Sequence, residues 1–228
     1  MINTAICVVY PLSHIVFIID SKMDIKTKQE KLKDIYNDFK IRAQPFMVNA
    51  VCKPGCSFCC IHFGHVDIIT LEGYIIHEWM ETLSKSDQID LLKKIVKNMK
   101  KKKKRSIARC PFLSMDNTCR IYDIRPFSCR QFYSLETCTA KGPIVHRKSV
   151  EMAKMTVKEL QHLDATGYSG HLSYILHLMS TPDFKELYQT GGFDPAKIMS
   201  FGKKYGIIIN RKVSDKGLKK FYIPDIGK

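Results

Sequence analysis

The pattern of apolar and polar positions predicts a mainly α protein. From Asp24 to Arg42, Ile25, Leu32, Ile35, Tyr36 and Phe39 recur at near-helical spacing, with lysines and acidic residues on the other face; this amphipathic helix ends before Pro45. Val66, Ile68 and Ile69 form a short apolar run. Thr70 is then a candidate cap for a helix continuing through Leu71, Tyr74, Ile75 and Trp79, weakened by Gly73. Another helix is predicted from Asp87 to about Met99, with Ile89, Leu92, Ile95 and Val96 facing inward and Ser84 or Ser86 at its start.

The C-terminal third carries clearer punctuation. Thr156 with Glu159 matches a capping box, Thr181-Pro182 and Asp194-Pro195 each set a cap before a proline at the first helical position, and Gly191 and Gly206 are candidate stops. Three or four helices follow from these signals. Ile207 to Ile209 and Phe221 to Ile223 are candidates for a small terminal β-hairpin, with Asp215 and Gly217 in the connection. The chain shows no internal repeat and no regular alternation of strand and helix. The expected architecture is a helical domain with irregular cysteine-rich loops, divided as an apolar segment (1–23), a cysteine-bearing domain (24–150) and a helical extension packed on it (151–228).

The apolar stretch Ala5 to Ile19 has no Lys or Arg before it, is interrupted by Pro11 and His14, and lacks a small-residue cleavage site. It is also short for a membrane span. We expect a buried or irregular segment there, with translation from Met23 as an alternative, and no membrane partner.

At 228 residues the chain can bury a real core without staples. Its nine cysteines are therefore not needed for bulk stability, and eight fall into two tight groups. The ninth, Cys7, is expected in the core. An odd count and the adjacent Cys59 and Cys60 suit a disulfide framework poorly, so a reducing, cytoplasmic compartment is expected. The formal charge of +15, from 37 Lys plus Arg against 22 Asp plus Glu, favours acidic partners. Lys100 to Arg105 supplies much of it in one run, predicted to be a solvated loop; no aromatic residue is interleaved to stack on bases, which weakens a nucleic-acid reading.

The first group reads Cys52-Lys-Pro-Gly-Cys56-Ser-Phe-Cys59-Cys60, where Pro54 and Gly55 help reverse the chain so that one loop can present several thiolates. Cys59 and Cys60 point apart as chain neighbours, and serve different metals or divide into ligand and supporting thiol. The second group reads Cys110-Pro-Phe-Leu, then Cys119-Arg-Ile-Tyr-Asp-Ile-Arg-Pro-Phe-Ser-Cys129-Arg-Gln-Phe, and Cys138. Two groups about fifty residues apart suit a site that closes a long loop. Arg109, Arg120, Arg125 and Arg130 are placed to donate to sulfur or offset its charge. His62 and His65 are secondary candidates as nitrogen ligands.

The combination CKPGCSFCC, CPFL and CRIYDIRPFSCRQF resembles the YkgJ-type cysteine-cluster family, also described as the CxxCxxCC zinc- or iron-chelating domain. VDIITLEGY is similar to the segment that follows the family's first cluster. The resemblance covers about Cys52 to Phe132. It implies that Cys52, Cys56, Cys59, Cys60, Cys110, Cys119 and Cys129 bind metal, and Cys138, just beyond the motifs, joins them as a candidate. Either zinc or a [4Fe–4S] cluster fits this set, in a structural or redox module with a metal ion or cluster, and a protein, as partners. Cys52, Cys56 and Cys59 also have the spacing of the radical S-adenosylmethionine motif, without that family's barrel pattern. The cysteine-cluster family resembles the N-terminal portion of flagellin lysine methylases, which keeps an iron–sulfur-dependent modifying enzyme as an alternative. A basic nucleic-acid-binding metal module is a further one, and nothing fixes a base beside a thiol for Cys–His catalysis.

Overall fold

The first predicted helix begins where its cap can form: Asp24 accepts a hydrogen bond from the Thr27 amide at 2.9 Å, and α1 runs Ile25–Ala43. Leu32, Phe39 and Ala43 are its buried stripe, with Ile25, Ile35 and Tyr36 partly covered. The computed structural model describes residues 23–53, 55–62, 64, 66–104, 107–192, 202 and 205–210. After a 3-10 turn (Gln44–Phe46), its elements are α2 (Phe58–His62), β1 (Asp67–Ile69), α3 (Thr70–Glu81), α4 (Lys85–Lys103), α5 (Phe127–Arg130), α6 (Arg147–Leu163), β2 (Tyr168–His171), α7 (Leu172–Met179), α8 (Pro182–Gln189) and β3 (Ile208–Ile209). The protein is mainly α, with one small antiparallel sheet ordered β1-β2-β3. Among the described residues no helix is long and apolar enough to cross a membrane.

One apolar core joins the whole described chain, from Leu32 to Ile207. Helix α7 lies at its centre, with Leu172, Tyr174, Ile175, Leu176 and Met179 all buried, and packs against α3, α4 and α8. Helix α6 packs on α1. Gly73 is what lets α3 approach α7: a Cβ there would lie 2.6 Å from Ile175 Cγ2. Register is set by Ile68 opposite Gly170 and Tyr168 opposite Ile209. The strand at 208–209 thus pairs with β2; 221–223, the other half of the expected hairpin, lies outside the described residues, as do 1–22 with Cys7, Asp194-Pro195 and His65.

Several local expectations give way to tertiary structure. The inward face of α4 is Leu91 and Ile95, whereas Ile89 is 52 % and Leu92 36 % exposed. The helix carries two apolar stripes, and packing on α7 selects the narrower one. Lys100 to Lys103 are not loop but the last turn of α4, where positive charge complements the helix C-terminus. Thr156 caps nothing: it lies buried inside α6, whose cap is His146, accepting from the Lys148 amide. The boundary expected at residue 150 falls within this same helix.

The start of α3 is likewise non-local. The Thr70 hydroxyl accepts from the Tyr168 amide at 2.7 Å, joining α3 to β2, while the orphan amide of Leu71 donates to Asp164 Oδ2 at 3.0 Å. Glu72 reaches back to the Ile69 amide at 2.9 Å. At α8 the sequence signal holds in position, with Thr181 at the N-cap though without a side-chain cap bond, Pro182 opening the helix and Gly191 beyond its end at φ +72°.

Candidate metal centre

Both cysteine groups sit in stretches with little regular structure, so what fixes them is a small number of backbone bonds between the two. Val51 N–H donates to the Ser134 carbonyl at 2.8 Å, and Ser134 N–H donates to Cys52 Sγ at 3.2 Å. This clamp brings the start of the first loop to the segment that leads to Cys138. Gly55, at φ +87°, then turns the chain, and the single-turn α2 carries Cys59 and Cys60. Immediately beyond, Gly64 packs flat on the second group: at φ +53°, a Cβ there would lie 2.7 Å from the Ala108 carbonyl oxygen.

The second closure is Cys110 N–H donating to the Cys60 carbonyl at 2.8 Å. Leu113 bridges Cys119 antiparallel around a turn with Asn117 at φ 64°, and Arg120 N–H donates to Phe112 O at 3.0 Å. Phe112 and Phe127 are fully buried, so they plug this irregular stretch into the core. Cys129 rides on α5, whose first amide, Phe127 N–H, donates to Glu72 Oε1 at 2.7 Å. Asn98 of α4 completes the support: its amide donates to Arg109 O at 2.9 Å and its carbonyl accepts from the Ser173 hydroxyl at 2.6 Å.

All eight cysteines of the two groups are free of disulfide bonds. Cys56 is exposed and the other seven are partly covered. Burial pushes Cys59 up to about 12, with Cys138 and Cys52 its foremost charged neighbours. Cys52 is raised by burial against the Ser134 amide, with Cys56 and Cys138 adding to the shift. Around Cys60 the neighbours differ. Its hydrogen bond with the Cys110 thiol lowers it to about 7, assisted by Arg125 and Arg109, while the same bond and burial raise Cys110. Burial also raises Cys119 and Cys129, both in the field of Cys60, and Arg125 opposes each shift. Crowded thiols hold one another's protons because neighbouring thiolates repel; a cation among them reverses that preference.

The donor set is soft and sulfur-only, which suits zinc or iron–sulfur rather than magnesium or calcium. Among the described residues, no three His, Cys, Asp or Glu side chains are drawn into a closed shell for an ion. Arg125 Nε is buried without a hydrogen-bond partner beside three of these thiols, a donor that sulfur would satisfy.

The expected arginines separate into two kinds. Arg109 and Arg125 act on the thiols, but Arg120 faces Asp87 at 4.0 Å and the Trp79 ring, and Arg130 donates to Arg125 O and Asp123 O at 2.7 and 2.6 Å while lying over Tyr36. The latter pair brace the loop rather than the sulfur. His62 packs against Phe58, the ring centroids 4.5 Å apart and the planes tilted by 35°. Sequence reasoning missed Glu72, Ser134 and Asn98 as supports. An acidic residue inside the apolar run that becomes α3 is the one local signal for Glu72; the other two are ordinary polar residues until the fold surrounds them.

No curated protein and no solved structure matched the chain. One family model did, over residues 51–162, and its description is "Putative zinc- or iron-chelating domain". The matched segment contains all eight cysteines of the two groups, Glu72 and Asn98. Residues 51–162 of this protein therefore belong to the CxxCxxCC domain family.

Proposed function

We propose that the protein uses Cys52, Cys56, Cys59, Cys60, Cys110, Cys119, Cys129 and Cys138 as thiolate ligands, in a metal-binding module of structural or redox role. The observation that carries this reading is the pair of cross-loop closures, Ser134 N–H to Cys52 Sγ and Cys110 N–H to Cys60 O, which bring sulfurs distant in sequence into one region. Zinc there would tie the two loops together and couple folding to metal. An iron–sulfur cluster would add one-electron chemistry. We favour the cluster, because loop-borne thiolates with a nearby guanidinium suit both its ligation and its charge. Anaerobic purification followed by iron, zinc and acid-labile sulfide analysis, with an optical spectrum, tests the choice. Brown protein with matched iron and sulfide supports the cluster; colourless protein with stoichiometric zinc and no sulfide rejects it, and protein that takes up neither metal rejects the whole reading.

The radical S-adenosylmethionine alternative gains nothing from the fold. A small antiparallel sheet stands where its barrel would need parallel strands alternating with helices.

A further inference from the structure

We infer that the outer face of α4 is a docking surface for an acidic amphipathic helix of another protein. The inference is independent of the metal-binding reading and concerns a surface which that reading leaves unused.

Helix α4 buries Leu91, Ile95 and Asn98 and leaves a second apolar stripe uncovered. Ile89, Leu92 and Val96 line a shallow surface groove together with Lys93, Lys97 and Lys100. Ile89 and Leu92 are exposed and Val96 is half-buried. Their spacing of three and then four residues sets the aliphatic side chains in one row, the a, d, a register in which one helix receives another. In that register Lys93 and Lys100 take the flanking e positions, where charge selects the partner, and Lys97 lies on the same side of the row.

Charge decides the occupant. Lys93 has Asp90 at 3.9 Å, with both side chains largely exposed, and among the described residues no acid pairs with Lys97 or Lys100. Two copies of this face would set lysine against lysine, and the net charge of +15 opposes a second copy seated elsewhere on the chain. Nor do the chain's own segments outside the described residues supply the counter-charge. Asp20 is the one acid of residues 1–22, and Asp215 and Asp225 are outnumbered by basic residues in 211–228. A bilayer fits the face poorly, because the aliphatic groups lie in a groove between lysine stems, none of its described lining residues is aromatic, and a flat surface leaves the groove unfilled. A helix with large aliphatic knobs along one side and Asp or Glu beside them fills the row and meets the lysine rim together.

Fluorescence anisotropy with the full chain and two synthetic three-heptad peptides tests this. Both peptides carry Leu at a and d; one has Glu at e and g, the other Lys. At about 50 mM salt the Glu peptide is expected to bind at least about tenfold more tightly than the Lys peptide, and to weaken as salt is raised. Leu92→Asn should weaken the Glu peptide about tenfold. The triple change K93E/K97E/K100E should reverse the preference between the peptides, which general attraction to a basic chain would not do, since the variant remains strongly positive. Equal binding of the two peptides, or a Glu-peptide affinity unchanged in either variant, would overturn the assignment. So would dimerisation of the wild type that the triple change abolishes, which gives the face to a second copy, or triple-sensitive binding to vesicles of about 30 % phosphatidylglycerol without Glu-peptide binding, which gives it to a membrane. Urea midpoints of both variants are expected to match the wild type; should Leu92→Asn fail to fold, the triple change decides.

Discussion

Glu72 shows how one side chain can serve a site it does not enter. Fully buried, it accepts from Tyr36 OH, Ile69 N–H and Phe127 N–H, and so fixes α1, α3 and the start of α5 around a single carboxyl. Removing it strands these donors away from water. Glu72→Ala is expected to cost about 3 kcal/mol in urea unfolding and to lower metal content, because α5 and Cys129 lose their anchor. Asp164 is the second buried carboxyl, bonded by Leu71 N–H and Tyr188 OH at 3.0 and 2.8 Å, with Lys28 at 3.9 Å. Burial pushes it up to about 7, with Lys28 opposing. The folded protein therefore holds a proton that the unfolded chain releases near pH 4; this stability is complete below about pH 4 and is lost as pH rises through about 7. Between pH 5 and pH 8 the wild type should lose about 2 kcal/mol relative to Asp164→Asn, read from urea midpoints. Taking the difference between the two proteins cancels what the thiols contribute.

At the scale of elements, long-range contacts override local signals in both directions. Gly73 looked like a weakness in a helix and proves to be its point of closest approach to α7. Gly73→Ala should gain helix propensity but lose more through the collision with Ile175, a β-branched core residue with little room to move; a net destabilisation of about 1–3 kcal/mol is expected in thermal unfolding. Thr156 is the reverse case, a capping residue by sequence that sits buried in mid-helix with its hydroxyl unpartnered. Thr156→Val keeps the shape and removes the stranded group, and should leave stability unchanged or raise it by up to about 1 kcal/mol by the same measurement. Helix α4 was legible in its existence and its Ser84 cap, but not in its last turn or its full facing. Ile95 is buried as its spacing predicts, but Ile89 and Leu92 share that spacing and are exposed, and only the position of α7 shows that Leu91 turns inward in their place.

For the molecule as a whole, the helical core and the cysteine loops depend on different forces. The core joins α1, α3, α6 and α7 through apolar burial, while the loops around Cys52–Cys60 and Cys110–Cys138 hang on a few hydrogen bonds and three plugs, Phe112, Ile121 and Phe127. Chelation should therefore loosen the loops before the core. We expect hydrogen exchange across residues 51–62 and 107–138 to accelerate at least about tenfold after metal removal, with far-ultraviolet helicity largely kept. Uniform acceleration, including α7, would show that metal and core form one cooperative unit.

The sequence alone determined the helical class, the limits of α1, the start of α8 and the chemistry of the candidate site, because helix periodicity, proline, glycine and clustered cysteine act over a few residues. It also carried enough ordered motifs for the family to be recognised. Which cysteines become neighbours, which stripe of α4 turns inward, and the supporting roles of Glu72, Ser134 and Asn98 were decided by tertiary structure. Each depends on groups tens of residues apart meeting in one place, and short-range patterns hold no information about where a chain that has turned back on itself will make those contacts.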